Sequence, residues 1–113
     1  MAGGSRASDT QIRRIVSIPG LITTANGQQA TSTSLGVFPV PGSQLEVYLN
    51  GQFLDVGVSG NHTGKPCYFS GDGGITPRVL GQVKSTDKLY WNGSISGFEL
   101  STLDNFEISV ITD

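Results

Sequence analysis

His62 and Cys67 are the two residues of this sequence whose side chains most readily do chemistry, and each occurs once. His62 lies in the Gly-rich stretch 57–66, and no Gly-x-Ser-x-Gly motif supplies the nucleophile of a serine triad. One histidine and one cysteine cannot complete a structural zinc site. We therefore expect His62 to be an exposed loop residue and Cys67 to be a buried structural thiol, and we predict no catalytic or metal-binding residue and no cofactor.

The carboxylates offer no clearer site. Asp72-Gly73-Gly74 lacks the alternating oxygen ligands and closing glutamate of an EF-hand, so it predicts a turn that begins at the aspartate. A glycosidase needs two carboxylates at a set separation, which sequence cannot measure. Nothing marks a pair among the remaining candidates, which are Glu46, Asp55, Glu99, Asp104 and Glu107.

Composition narrows the class of protein. Charged residues make up 14% of the chain and the net charge is -2, so a nucleic-acid partner has little support. No stretch reaches the ~20 apolar residues of a membrane span, and no secretory signal is expected at the start. A lone cysteine fits folding in a reducing cytosol. The low charge suits either a subunit buried among neighbours or simply a Ser- and Thr-rich β protein.

Short apolar runs separated by Gly and Pro predict an all-β fold, an antiparallel β-sandwich or barrel formed by residues 12–113 as a single domain. Residues 23–34 form a predicted polar loop, and no long helix is expected. The predicted strands are Ile12 to Ile18, Leu35 to Val40, residues 45–49, 53–56, Cys67 to Phe69, Val79 to Val83, Leu89 to Trp91, Ile95 to Leu100 and Phe106 to Ile111.

Two Asn-Gly pairs, Asn50-Gly51 and Asn92-Gly93, each follow an apolar-Tyr-apolar run and predict hairpins with type I′ turns. Such turns need positive φ, so valine at either glycine should destabilise the fold. The similar runs reflect either common hairpin chemistry or two facing hairpins. Period-2 alternation beside the turns predicts a core that contains Leu45, Val47, Leu49, Leu89, Trp91, Ile108 and Val110.

The run Lys88 to Asp104, with its Leu-Tyr-Trp-Asn-Gly-Ser segment and Gly-Phe-Glu-Leu, resembles small β-structured virion proteins of tailed bacteriophages. The run Leu45 to Gly51 is similar to the hairpins of phage head and tail appendages. Together these two stretches make up 24 of the 113 residues of the chain. The resemblance implies a virion structural protein, assembled in the host cytoplasm, that acts as a capsid decoration or cement subunit on the major capsid protein. The alternative is a tail or fibre module that binds host carbohydrate through Tyr48, Tyr68, Tyr90 or Trp91.

Residues 1–11 are small and polar, and they predict an extended N-terminal arm. Ordering this arm costs about 10–20 kcal/mol of backbone entropy, which contacts within one small domain would not offset. We therefore expect the arm to pack on another chain of a homo-oligomer, and the resemblance to phage appendages suggests a trimer.

Overall fold

The computed structural model describes residues 12–19, 22–25 and 28–112, and in this part of the chain it is mainly β. One sheet, sheet A, has four strands in the order β1-β9-β4-β5, and the other, sheet B, has five in the order β2-β3-β8-β7-β6. The strands are β1 (Ile12–Pro19), β2 (Ile22–Ala25), β3 (Gln28–Thr31), β4 (Glu46–Leu49), β5 (Gln52–Leu54), β6 (Val56–Gly57), β7 (Cys67–Ser70), β8 (Lys88–Trp91) and β9 (Asn105–Thr112).

Neither sheet closes into a barrel in the described residues, and all strand pairs there are antiparallel except β6 with β7. The two sheets share one apolar core, in which Val47 and Ile108 of sheet A pack with Phe69 and Trp91 of sheet B. Every predicted core residue is buried, so the period-2 alternation identified the core face correctly. The predicted absence of a long helix is also confirmed in this part of the chain, whose α-helix, α1, spans only Gly93–Ser96.

The first Asn-Gly hairpin is confirmed. Strands β4 and β5 pair with Tyr48 opposite Phe53 and Leu49 opposite Gln52, which leaves Asn50 and Gly51 as the two turn residues. Both have positive φ, at 50° and 86°, as a type I′ turn requires. The Asn50 side chain also donates to Asp104 and accepts from the Asn105 backbone, and so ties the turn to the start of β9.

The second predicted hairpin, at Asn92-Gly93, is wrong. Gly93 begins α1, which Gly97 caps in the left-handed conformation with φ 88°. The predicted strand Ile95 to Leu100 does not form. The physical reason lies in strand β8, because β3 and β7 already occupy both of its edges. A returning hairpin strand would have no edge left on which to pair, so the chain leaves the sheet instead.

Three further predictions need correction. The polar stretch 23–34 contributes strands β2 and β3, because Ala30 and Thr31 are buried although the segment has no apolar alternation. Residues Leu35 to Val40 form a loop with a single bridge from Pro39 to Thr112. Residues 79–83 contain a 3₁₀ turn at Leu80–Gln82. The predicted arm, residues 1–11, lies outside the described residues.

An ion pair organises the connection between β7 and β8. Asp87 is fully buried and accepts two hydrogen bonds from Arg78, at 2.8 Å from Nε and 2.9 Å from Nη2, and a third from the Lys84 backbone. The pair packs on Gly71, where an added Cβ would lie 2.6 Å from Asp87 Oδ1. Such a fork-shaped contact holds two segments of an irregular loop in one geometry.

We predict that Gly51→Val lowers the free energy of unfolding by about 1–2 kcal/mol, since a β-branched residue resists positive φ. Thermal or urea unfolding measures the change. Gly64→Val is the matched control, because Gly64 has no unusual φ and open space around its Cβ position. Equal losses in the two variants would contradict the turn assignment. Gly93 does not have positive φ, so positive φ gives no reason to expect that Gly93→Val destabilises the fold.

We predict that Asp87→Ala costs about 2–3 kcal/mol, because it leaves the Arg78 guanidinium without its buried partner. This cost lies at or just below the lower end of the range for a broken buried pair, because the Arg78 side chain keeps some contact with solvent. Asp55→Ala is the control. Asp55 lies 2.7 Å from Lys65 but is well exposed, so its loss should cost less than about 1 kcal/mol. Similar costs for the two variants would show that burial does not matter here.

Candidate interaction surface

The two residues with the most reactive side chains, Cys67 and His62, each have a defined environment in the fold. Cys67 is fully buried in β7, and burial, with a smaller contribution from Asp55, raises the pKa of its thiol to about 12. This confirms the prediction that the Cys67 thiol is buried. His62 is partly buried rather than fully exposed, because its ring packs edge-on against Tyr68 with a centroid separation of 5.0 Å. Its Nδ1 atom is buried and has no hydrogen-bond partner among the residues that the structure describes.

Asp72 forms the predicted turn. Its Oδ1 accepts from the Thr76 backbone at 2.9 Å and from the Ser70 hydroxyl at 2.7 Å. These hydrogen bonds, the Thr76 backbone bond first, lower the pKa of Asp72 to about 2. The carboxylate therefore carries its charge at neutral pH and holds the loop after β7. A group in this state is a turn anchor and a poor proton donor.

Three of the other candidate carboxylates have separate hydrogen-bond or ion-pair partners. Glu46 accepts from the Tyr48 hydroxyl, Asp55 binds Lys65, and Asp104 accepts from Asn50 and from the Ser101 backbone. Within the described residues no group of three His, Cys, Asp or Glu side chains is arranged to hold a metal ion.

Most of the aromatic residues considered for sugar stacking are buried. Trp91 lies in the core, as its phase with Leu89 indicated, and its Nε1 donates to the Phe98 carbonyl at 3.0 Å. Tyr68 and Tyr90 are stacked on each other, with centroids 5.6 Å apart, and are also buried. Tyr48 is half-buried beside Phe53. None of the four presents a fully open ring face.

One polar cleft does include an accessible ring. It has a volume of about 670 Å³, and Phe98, 48% exposed, stands beside Gln28 and Glu99 in its wall. The Gln29 side chain both donates to and accepts from the backbone of Leu100, which fixes this wall to β3. An aromatic face beside amide and carboxylate groups is the combination that sugar hydroxyls and C–H faces contact.

The most exposed aromatic ring in the described chain belongs to Phe38, at 78% exposure. It lies on loop 35–43, which is held along its length by backbone hydrogen bonds. Leu35 and Gly36 donate to Asp87 and Ser85, Val40 donates to Ile111, and Gly42 donates to Gly81, at 2.8–2.9 Å. Two prolines, Pro39 and Pro41, restrict the loop further. The exposed ring is therefore held on a braced segment.

Grooves lie on both sides of this ring. Phe38, Pro39 and Pro41 form a ridge between a groove of about 630 Å³ toward residues 78–86 and one of about 550 Å³ toward Arg14 and Thr112. We call this arrangement the Phe38 ridge. A rigid apolar ridge between grooves is the shape of an anchor that inserts into a partner protein.

The Phe38 ridge lies in residues 35–40, for which the sequence predicts a strand. The signal was present in Pro39 and Pro41, since two prolines this close are incompatible with a paired inner strand. No local sequence pattern indicates the hydrogen bonds that hold this loop to residues 81–87 and to β9, because they depend on the tertiary fold.

Comparisons with known proteins give no match: no family model, no curated protein and no solved structure is significantly similar to this chain. Among the described residues, no helix has the length and apolar character needed to span a bilayer.

We predict that His62→Ala and Cys67→Ala leave the function of the protein intact, because the Cys67 thiol is buried in the core and the His62 ring packs against Tyr68. In the folded wild-type chain, the Cys67 thiol should react with a maleimide at pH 8 only at the rate of unfolding, since it is buried and protonated. Labelling with and without denaturant measures this. Fast labelling of the native protein, or a folded variant without function, would contradict the structural roles.

Proposed function

We propose that this chain is a structural subunit of a tailed-bacteriophage virion, with a capsid decoration or cement role on the major capsid protein and no enzymatic activity. In this proposal the two sheets form a β-sandwich, copies of the chain associate with one another, and residues 1–11 form an arm that contacts a neighbouring chain. The proposal joins the sequence resemblance of the runs Leu45 to Gly51 and Lys88 to Asp104, of which only the first forms a hairpin, to one observation, the Phe38 ridge.

The Phe38 ridge supports a binding role for an energetic reason. A flexible exposed aromatic loses conformational freedom on binding, which lowers its net contribution to affinity. The hydrogen bonds from loop 35–43 to Asp87, Ser85, Ile111 and Gly81 have already fixed the backbone under Phe38. A side chain on a backbone that is already fixed loses less conformational freedom on binding, so more of its buried area contributes to affinity.

The remaining surface supports the same role. Several other large apolar side chains are about half or more exposed, among them Ile15, Phe53, Ile75 and Leu103. Ser, Thr, Asn and Gln total 34 residues against 16 charged ones. Neutral polar groups cost less to dehydrate than charged ones, so this surface is suited to burial between subunits. Virions, with their repeated contacts, offer such burial.

A tail or fibre module that binds host carbohydrate is the second candidate, and the Phe98 cleft favours it. The cleft combines an accessible ring with Gln28 and Glu99. If this function holds, the subunit should occur in few copies at the tail, and Phe98→Ala should abolish binding to host glycans.

We predict that Phe38→Ser weakens binding of the purified chain to particles that lack it by roughly 10- to 100-fold, the range for loss of an aromatic anchor. Leu103→Ser is the matched control, because Leu103 is 90% exposed but lies outside the grooves beside Phe38. Co-sedimentation with particles measures the affinity. A second variant without residues 1–11 should fold and also bind more weakly.

Cryo-electron microscopy of intact particles gives the location. Many copies on the head support decoration, whereas few copies at the tail support the carbohydrate-binding alternative. A chain absent from purified virions, or one whose Phe38→Ser variant binds particles as tightly as wild type, would overturn the decoration role.

A further inference from the structure

Strand β1 has one edge that no other strand of the described residues covers. It pairs with β9 along all eight of its residues, from Ile12 opposite Thr112 to Pro19 opposite Asn105, and it is the terminal strand of sheet A. No strand in the described residues pairs with its other side. An edge of this length presents a row of backbone donors and acceptors to which another strand can add.

The hydrogen bonds of β9 establish which groups of β1 point outward. The carbonyls of Asn105 and Ile111 accept from Asn50 and Val40, on the side of β9 that faces β4. Backbone groups alternate along a strand and the register is unbroken, so the even-numbered residues of β9 bond to β1. Their partners are the even-numbered residues of β1. The N–H and C=O groups of Arg13, Ile15 and Ser17 therefore point away from the sheet.

The side chains of the same three residues lie on the outer face of sheet A, opposite the core. Arg13 is exposed there, with one donor on the Ser109 hydroxyl, and Ile15 is 62% exposed. Glu107, the neighbour of Ser17 on β9, is also exposed on this face. One strand thus carries a cation at one end and has an anion beside its other end.

We propose that two copies of this chain pair through β1, antiparallel, about a two-fold axis at Ile15. Arg13 then lies opposite the partner's Ser17, and Ile15 lies beside the partner's Ile15. All three pairs of outward-facing residues exchange two backbone hydrogen bonds each. The four strands of sheet A from each copy become one continuous sheet.

Charge complementarity selects this register. Across the strand pair, Glu107, Ser17 and the partner's Arg13 lie side by side in one row. Because Ser17 is small, the extended guanidinium can reach the carboxylate across it, and the two-fold axis forms this contact twice per dimer. Centring the axis on Arg14 would place two arginines directly opposite each other. Centring it on Val16 would pair Arg13 with the partner's Pro19, which has no N–H to donate.

The inference deepens the proposed association of copies and is tested in solution without particles, so it can fail or hold independently of virion binding. Sedimentation equilibrium of the full chain should show a monomer–dimer equilibrium. Arg13→Glu and Glu107→Arg should each weaken dimerisation by about tenfold, and the double variant should recover most of the loss.

Two proline variants test which backbone N–H groups of β1 point away from the sheet. Ile15→Pro removes an outward N–H, so it should abolish the dimer and leave the fold intact. Val16→Pro removes a bond to β9 and should destabilise the monomer instead. Even a weak specific dimer would be detectable at a chain concentration of about 1 mM. A chain that stays monomeric up to this concentration therefore overturns the proposal. A trimer insensitive to Ile15→Pro, or a double variant no tighter than the single ones, also overturns it.

Discussion

The pairing of β9 between β1 and β4 is the interaction on which the rest of the molecule depends. Three side chains of this strand, Phe106, Ile108 and Val110, are almost wholly removed from solvent and face the shared core. Its backbone also bonds to loop 35–43 through Ile111 and to the β4–β5 turn through Asn105. The position of this strand determines which backbone groups of β1 point outward, and it also supplies one of the hydrogen bonds that hold the loop under Phe38.

The two sheets differ in how they meet solvent. All four residues of β7 in sheet B are buried, because loop residues cover the face that points away from the core. Tyr68 donates to the Gly74 carbonyl at 2.7 Å, and Gly74 lies so close to Tyr90 that an added Cβ would be 2.8 Å from its ring. Burial accordingly raises the pKa of both tyrosines. The outer face of sheet A carries exposed side chains such as Ile15, Phe53 and Glu107, so partners have more accessible surface there.

Sequence patterns predicted the parts of the fold in which a local rule and the tertiary structure agree. Asn50-Gly51 follows β4, whose neighbour on that side is β5 itself, so the hairpin forms. Asn92-Gly93 has the same local chemistry, but β8 lies between β3 and β7 and allows no return strand. Strand β3 has no local sequence signal, because its buried residue Thr31 is polar. The Thr31 hydroxyl accepts a hydrogen bond from the Leu89 backbone N–H. Burial of this kind depends on partners distant in sequence.

The same limit applies to the interaction surface. Residues 35–40 are apolar enough to suggest a strand, and the hydrogen bonds that make them a braced loop come from Ser85, Asp87 and Ile111. The prediction that no catalytic cluster exists was drawn from residue types alone. In the structure the candidates have separate partners: Asp72 in its turn, Asp104 on Asn50, and Cys67 in the core.

The position of β9 in the chain has a consequence for synthesis. Ile12 pairs with Thr112, so nearly the whole described chain separates β1 from the strand beside it. While β9 is still being made, β1 and β4 have no strand between them, and their apolar sides remain open to other nascent chains on the same messenger. Strands of such large sequence separation also pair slowly. The time between translation of β4 and arrival of β9 is therefore when aggregation competes most strongly with folding, and when a holding chaperone has the greatest effect on yield.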